Sequence, residues 1–174
     1  MEKYGVKGSM EHIRKTMEWT AQDPQNDYWW WIDAIYMALH FYNRAGLCLK
    51  EEKLFDQAYR LFLNTKKERG LYDEQEGLWF RDENYLPDRA RTADGKKVFW
   101  SRGNGWVFAG LARTLEILPE EHAYYREYEQ TFRRIAQALR SRQQEDGFWH
   151  TSLLSPQACD MAETSGPVPN VAAT

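Results

Sequence analysis

Tyr28-Trp29-Trp30-Trp31-Ile32-Asp33-Ala34-Ile35-Tyr36-Met37-Ala38-Leu39-His40-Phe41 is the stretch that sets the fold. It reads as one helix over about 28–44, apolar nearly all round, with Trp29, Trp30, Ile32, Ala34, Ile35, Met37, Ala38, Leu39 and Phe41. Asn26 or Asp27 is placed to cap it and Gly46 to end it. A helix that apolar is buried on most faces. The next helical segment, about 51–66, carries one stripe, Leu54, Ala58, Leu61 and Phe62, and fills its other faces with Lys, Glu, Gln and Arg. That is a surface helix. The pair therefore predicts a hairpin with an inner and an outer member.

The same order returns further on. A helix over about 104–118 holds Val107, Phe108, Ala109, Leu111, Ala112, Leu115, Ile117 and Leu118, and Pro119 closes it. Residues 121–143 follow as an amphipathic helix ended by Asp146-Gly147. The interval from Asp33 to Trp100 nearly equals that from Trp100 to Glu163, which suggests repeated hairpins, inner then outer. A short helix over 9–19 precedes them, broken by Asp23-Pro24-Gln25-Asn26-Asp27. Between the hairpins, residues 68–100 are punctuated by Gly70, Gly77, Pro87 and Gly95. Leu78-Trp79-Phe80-Arg81 and Val98-Phe99-Trp100 there read as short strands paired with each other. Inner helices that all start at one end would gather Asp33, Arg102 and Glu163-Thr164-Ser165-Gly166 around one mouth. The partial positive charge of the helix dipoles at that end favours an anionic ligand.

The bulk numbers bound the function. The chain has 174 residues, enough for one domain with a core, and a formal net charge of -3. That charge offers no basic surface for nucleic acid and no polybasic membrane patch. No stretch is long and apolar enough to span a membrane. Residues 1–20 mix charges and lack the apolar centre of a signal peptide, and the compartment, cytoplasm or periplasm of a bacterium, stays open. Cys48 and Cys159 form neither a zinc pattern nor a disulfide framework. Eight Trp, ten Tyr and eight Phe are many for this length, as in carbohydrate sites or in a helical core.

Trp100-Ser101-Arg102-Gly103-Asn104-Gly105-Trp106 combines two indoles, a guanidinium and two glycines just ahead of an apolar run. Indoles cover apolar sugar faces, and a guanidinium takes a carboxylate with a two-pronged, charge-assisted bond. The set suits a ligand that is both sugar and carboxylate. Asp33 stands beside Trp29-Trp30-Trp31, where low polarity raises a carboxyl pKa and suits it to acid catalysis. Each residue also has a plainer reading. Asp33 is equally a first-turn carboxylate at a helix dipole, Arg102 a loop ion pair, Trp106 a core residue, and Arg81-Asp82-Glu83 a solvated hairpin. There is no GxSxG, P-loop, HExxH or dinucleotide fingerprint, so no metal ligand set and no cofactor is expected.

Trp29-Trp30-Trp31-Ile32-Asp33-Ala34, Phe99-Trp100-Ser101-Arg102-Gly103-Asn104-Gly105-Trp106, Asp146-Gly147-Phe148-Trp149 and Glu163-Thr164-Ser165-Gly166 occur in this order and spacing. Over about residues 10–166 the chain resembles the unsaturated rhamnogalacturonyl hydrolases of glycoside hydrolase family 105, close to the unsaturated glucuronyl hydrolases of family 88. The resemblance implies an all-α fold of helical hairpins forming part of an (α/α)6 barrel, over residues 1–166. It implies a substrate that polysaccharide lyases leave behind: a Δ4,5-unsaturated uronic acid at the non-reducing end of pectin-derived, rhamnogalacturonan-type oligosaccharides. Asp33 matches the family's acid/base residue, which protonates C4 of the enol ether while water adds at C5. The hemiketal then opens and the saccharide leaves, unlike the two-carboxylate displacement of ordinary glycosidases. Trp100, Arg102 and Trp106 match substrate-site residues, and Trp31 and Arg81 are placed with them. Pro167–Thr174 reads as a non-helical tail left by a truncation or a shifted frame, and a partial barrel is expected to self-associate through uncovered apolar helix faces. A non-catalytic sugar-binding or structural helical segment is the alternative.

Overall fold

The computed structural model describes residues 9–22, 27–158 and 162–163. Asn26, Thr164-Ser165-Gly166 and the tail 167–174 lie outside the described residues. Helix α1 (Ser9–Gln22) comes first. Tyr28–Ile32 is not helical. The chain runs extended there, and Trp31 forms an antiparallel bridge with Asp82. Ile32 N–H donates to the Arg81 carbonyl at 3.0 Å. The helix begins at Asp33, passes through a π-helical stretch (Ile35–Leu39) and becomes α2 (His40–Leu49). Gly46 therefore lies inside α2, close under the Phe55 ring. Lys50, left-handed at φ 56°, ends it instead and donates its N–H to the Gly46 carbonyl.

Helix α3 (Glu52–Leu63) runs into a second π-helical stretch (Asn64–Glu68). Strands β1 (Tyr72–Asp73) and β2 (Leu78–Trp79) form a small hairpin, with Tyr72 opposite Trp79. The expected pairing of 78–81 with 98–100 does not occur. Trp100 bridges Ser152, and Leu153 N–H donates to the Phe99 carbonyl at 2.9 Å. Helix α4 (Ser101–Leu115) starts earlier than the sequence suggests and takes both glycines of the motif into its first turns. Helix α5 (Tyr125–Arg140) follows, then β3 (Trp149–His150) paired with β4 (Ala162–Glu163).

The layering is inner against outer. α2 packs on α3, α4 packs on α5, and α4 lies against the Ile35–Leu39 stretch. Buried Ile32, Ile35, Leu39, Phe62, Trp79, Phe99, Leu111 and Tyr128 belong to one continuous core between these layers. Burying such a side chain contributes about 1.5–3 kcal/mol. The inner helix that carries Asp33 is less enclosed than its composition suggests: Met37 is 67% and Phe41 45% exposed.

Two glycines set the closeness of the inner pair. Gly103 and Gly110 are seven residues apart, so they share one face of α4. A Cβ on Gly103 would stand 2.9 Å from Ile32 Cδ1, and one on Gly110 2.8 Å from the Tyr36 Cα. Only glycine leaves room for that approach. Contacts advance in the same direction along both helices, Gly103 to Ile32 and then Gly110 to Tyr36, so the two helices run parallel and start at one end.

Candidate active site

The mouth is built where these helices begin. Asp33 is the first helical residue after the aromatic extended segment, and Arg102 sits in the first turn of α4. The Cβ that Gly103 lacks would be 3.7 Å from Asp33 Oδ1. Buried Asn104 fastens the neighbouring hairpin. Its Oδ1 accepts from the Trp79 N–H at 2.8 Å, and its Nδ2 donates to the carbonyls of Trp79 at 3.0 Å and Trp100 at 2.9 Å. In effect it pairs with β2 as another strand would. Ser101 N–H donates to the Thr151 carbonyl at 3.0 Å and ties the start of α4 to the following loop. On the other side, Thr65 Oγ1 donates to the Trp29 carbonyl at 2.8 Å and holds the aromatic segment against the outer layer.

Asp33 is half-buried. Burial pushes its carboxyl above the usual range, against the opposing pull of Arg102, Arg81 and its own backbone N–H. Both guanidiniums therefore act on this one carboxyl group. Arg102 is exposed. Arg81 lies over two rings, 5.5 Å from the Trp100 centroid and 5.6 Å from that of Tyr85. Trp100 and Tyr85 meet edge to face, with centroids 5.0 Å apart.

Asp33, Arg102, Arg81 and Trp100 thus stand together. Trp106 is one turn further along α4, its ring 4.5 Å from that of Tyr36, which lies one turn beyond Asp33. The Tyr36 hydroxyl accepts from Arg113 at 3.2 Å. The Trp31 ring packs on Trp30 at 4.5 Å, and its backbone, through the bridge to Asp82, sets the approach of Arg81. Of Glu163-Thr164-Ser165-Gly166 only Glu163 is described, its backbone paired with Trp149. Asn104, Tyr85 and Tyr36 were not singled out in the sequence. Asn104 carried a signal, a polar amide within an otherwise apolar helix start, but its partner Trp79 was not foreseeable from spacing. An open cleft of about 420 Å³ lies between the β1–β2 turn and α5 and shares none of these residues. Arg142 on its wall is engaged by Glu76 at 2.7 Å.

Residues 5–168 match the family model described as Glycosyl Hydrolase Family 88. The chain belongs to glycosyl hydrolase family 88. A curated relative from Formosa agariphila, an unsaturated 3S-rhamnoglycuronyl hydrolase, is 34% identical over 164 residues, which cover 89% of this chain and 43% of the relative. A solved family 88 glycosyl hydrolase from Bacteroides vulgatus superposes with a TM-score of 0.83 at 32% identity, covering 90% of this chain and 45% of that one. A solved structure described as a polysaccharide lyase matches with a TM-score of 0.87 at 35% identity, covering 94% of this chain and 46% of that one. The chain spans less than half the length of each of these three. Family 88 stands beside family 105 in the sequence reading, and the family model matched here is that of family 88. The hairpins α2–α3 and α4–α5 are inner–outer pairs of part of an (α/α)6 barrel.

Proposed function

We propose that this family 88 chain carries the acid/base and uronate-binding end of a hydrolase for Δ4,5-unsaturated uronic acids. The substrate is the non-reducing-end residue of a rhamnose-containing oligosaccharide, pectin-derived or of the kind named for the Formosa relative. One observation carries this reading. Asp33, a carboxyl group made less acidic by burial, stands beside two guanidiniums at the start of two parallel inner helices, with an indole alongside.

Each part has a task. Arg102, which is exposed, takes the uronate carboxylate in a two-pronged bond. The dipoles of both helices add to that pull. Trp100 and Trp106 offer apolar faces to the sugar rings. Asp33 gives its proton to C4 of the enol ether, and the resulting carboxylate accepts a proton from the water that adds at C5. One water is thereby added across C4=C5. The hemiketal opens, and the saccharide leaves from C1 with its proton. No step requires a second carboxylate placed for displacement at C1. The boundary at residue 166 and self-association through Met37 and Phe41 are parts of the same proposal.

Incubation of the chain with an unsaturated disaccharide, followed by proton NMR, tests it. The vinyl H4 signal should disappear at the rate at which the free reducing sugar appears. Release of reducing sugar with H4 retained would mean ordinary glycosidic cleavage. Saturable binding with no turnover would favour the sugar-binding alternative.

A further inference from the structure

We infer that Asp82 is a positioning residue: its buried carboxylate fixes the Arg81 guanidinium in place beside Asp33. The Asp82 side chain is 5% exposed, and its Oδ2 lies 3.2 Å from Arg81 Nε. Its Oδ1 does something else, accepting from the Asn84 N–H at 2.8 Å to cap the 3₁₀ turn Glu83–Tyr85. That turn carries Tyr85, one of the two rings under Arg81. The other ring, Trp100, immediately precedes α4. The backbone closes the arrangement, since the Arg81 carbonyl accepts from Ile32 N–H at 3.0 Å and Asp82 bridges Trp31. Arg81 is therefore held at its backbone, by the Asp82 carboxylate near Nε and by two adjoining rings beneath it, across from the start of the Asp33 helix. Buried charges are paired, and Arg81 is the cation at ion-pair distance from this carboxylate. Arg102, by contrast, is exposed.

The kinetic consequence rests on the function proposed above; the positioning itself does not. The Arg81 Nε–H resonance, identified by its loss in Arg81→Lys, should exchange with solvent at least about tenfold more slowly than that of Arg102. Equal exchange rates in the unmodified chain would overturn the inference without reference to any other variant. Asp82→Asn keeps an oxygen for the Asn84 cap but removes the charge. It should abolish the Arg81 protection while α4 and the melting cooperativity persist, and an unchanged resonance in that folded variant would contradict us. On an unsaturated disaccharide, Asp82→Asn should raise KM roughly tenfold with kcat within about twofold. The double variant with Arg81→Ala should be no worse than Arg81→Ala alone. Additive losses would show that Asp82 does not act through Arg81. Absence of turnover in the unmodified chain would defeat the hydrolase proposal, while the exchange measurement would still decide the role of Asp82.

Discussion

At Asp33 two physical effects oppose each other, and the sign of their balance is testable. Burial raises the pKa of this carboxyl above its ordinary 3.8, more than Arg102 and Arg81 lower it. A raised folded-state pKa means that the fold binds the proton more tightly than the unfolded chain does. Stability attached to this group is complete below pH 3.8 and is lost as pH rises through the folded value. Asp33→Asn removes the buried charge. It should therefore melt above the unmodified chain at pH 7 and level with it near pH 3, as calorimetry at the two pH values would show. A lower melting temperature at pH 7 would mean that the guanidiniums outweigh the burial. Arg102→Lys keeps the charge but loses the planar fork, and binding of a uronate should weaken about tenfold, roughly 1.4 kcal/mol. Titration calorimetry with a saturated uronate reads this directly. The pairing of Asp33 with Arg102 was legible because the acid stood beside three indoles and the cation in an aromatic, glycine-containing segment. Asn104 was not, because its task exists only once Trp79 has been brought alongside.

The helices themselves follow from local periodicity, and there the sequence was a sound guide to inner and outer members. It misplaced the start of the inner helix at 28. Trp29, Trp30 and Ile32 satisfy a helical pattern, yet Trp31 and Ile32 give their backbone to Asp82 and Arg81, a pairing too distant in sequence for periodicity to register. Of the two expected strands, Leu78–Trp79 forms one, whereas Val98-Phe99-Trp100 contributes only the isolated bridge of Trp100 to Ser152, and both partners lay beyond what local pattern registers. Gly46 has the look of a stop signal in the sequence, whereas in the fold the Phe55 ring occupies the space its side chain would need. Gly110 makes the strongest element-level prediction. A methyl group there would meet the Tyr36 Cα at 2.8 Å and the Ile35 carbonyl oxygen at 3.0 Å, both backbone atoms. Gly110→Ala should force α4 away from the π-helical stretch and cost about 1–3 kcal/mol in denaturant unfolding. It should also move Arg102 relative to Asp33, so activity should fall by more than the loss of folded protein explains. A neutral Gly110→Ala would mean that the inner helices are less closely apposed than the geometry shows.

Across the whole chain, apolar surface is left in water on the inner layer as well as at its edges. Met37 and Phe41, one turn apart, are exposed, as are Trp30 at 48% and Trp19 at 65%. Each Å² of such surface left uncovered forfeits roughly 25 cal/mol, and contiguous patches of this kind mark contact surfaces. The chain should therefore associate with itself at micromolar concentration and bind a dye for apolar surface. Met37→Lys with Phe41→Lys should reduce both while leaving the melt cooperative. A dye-free monomer in sedimentation would show that these side chains are already covered. The central claim concerns the other end of the inner helices, where Asp33 protonates an unsaturated uronate held by Arg102. Its most direct measurement is the ultraviolet absorbance of the C4=C5 bond, followed with the chain and with Asp33→Asn side by side on the same unsaturated oligouronide. The account predicts a steady loss of absorbance with the chain and none with a folded Asp33→Asn. Equal rates for the two, or an unchanged absorbance with both, would contradict it.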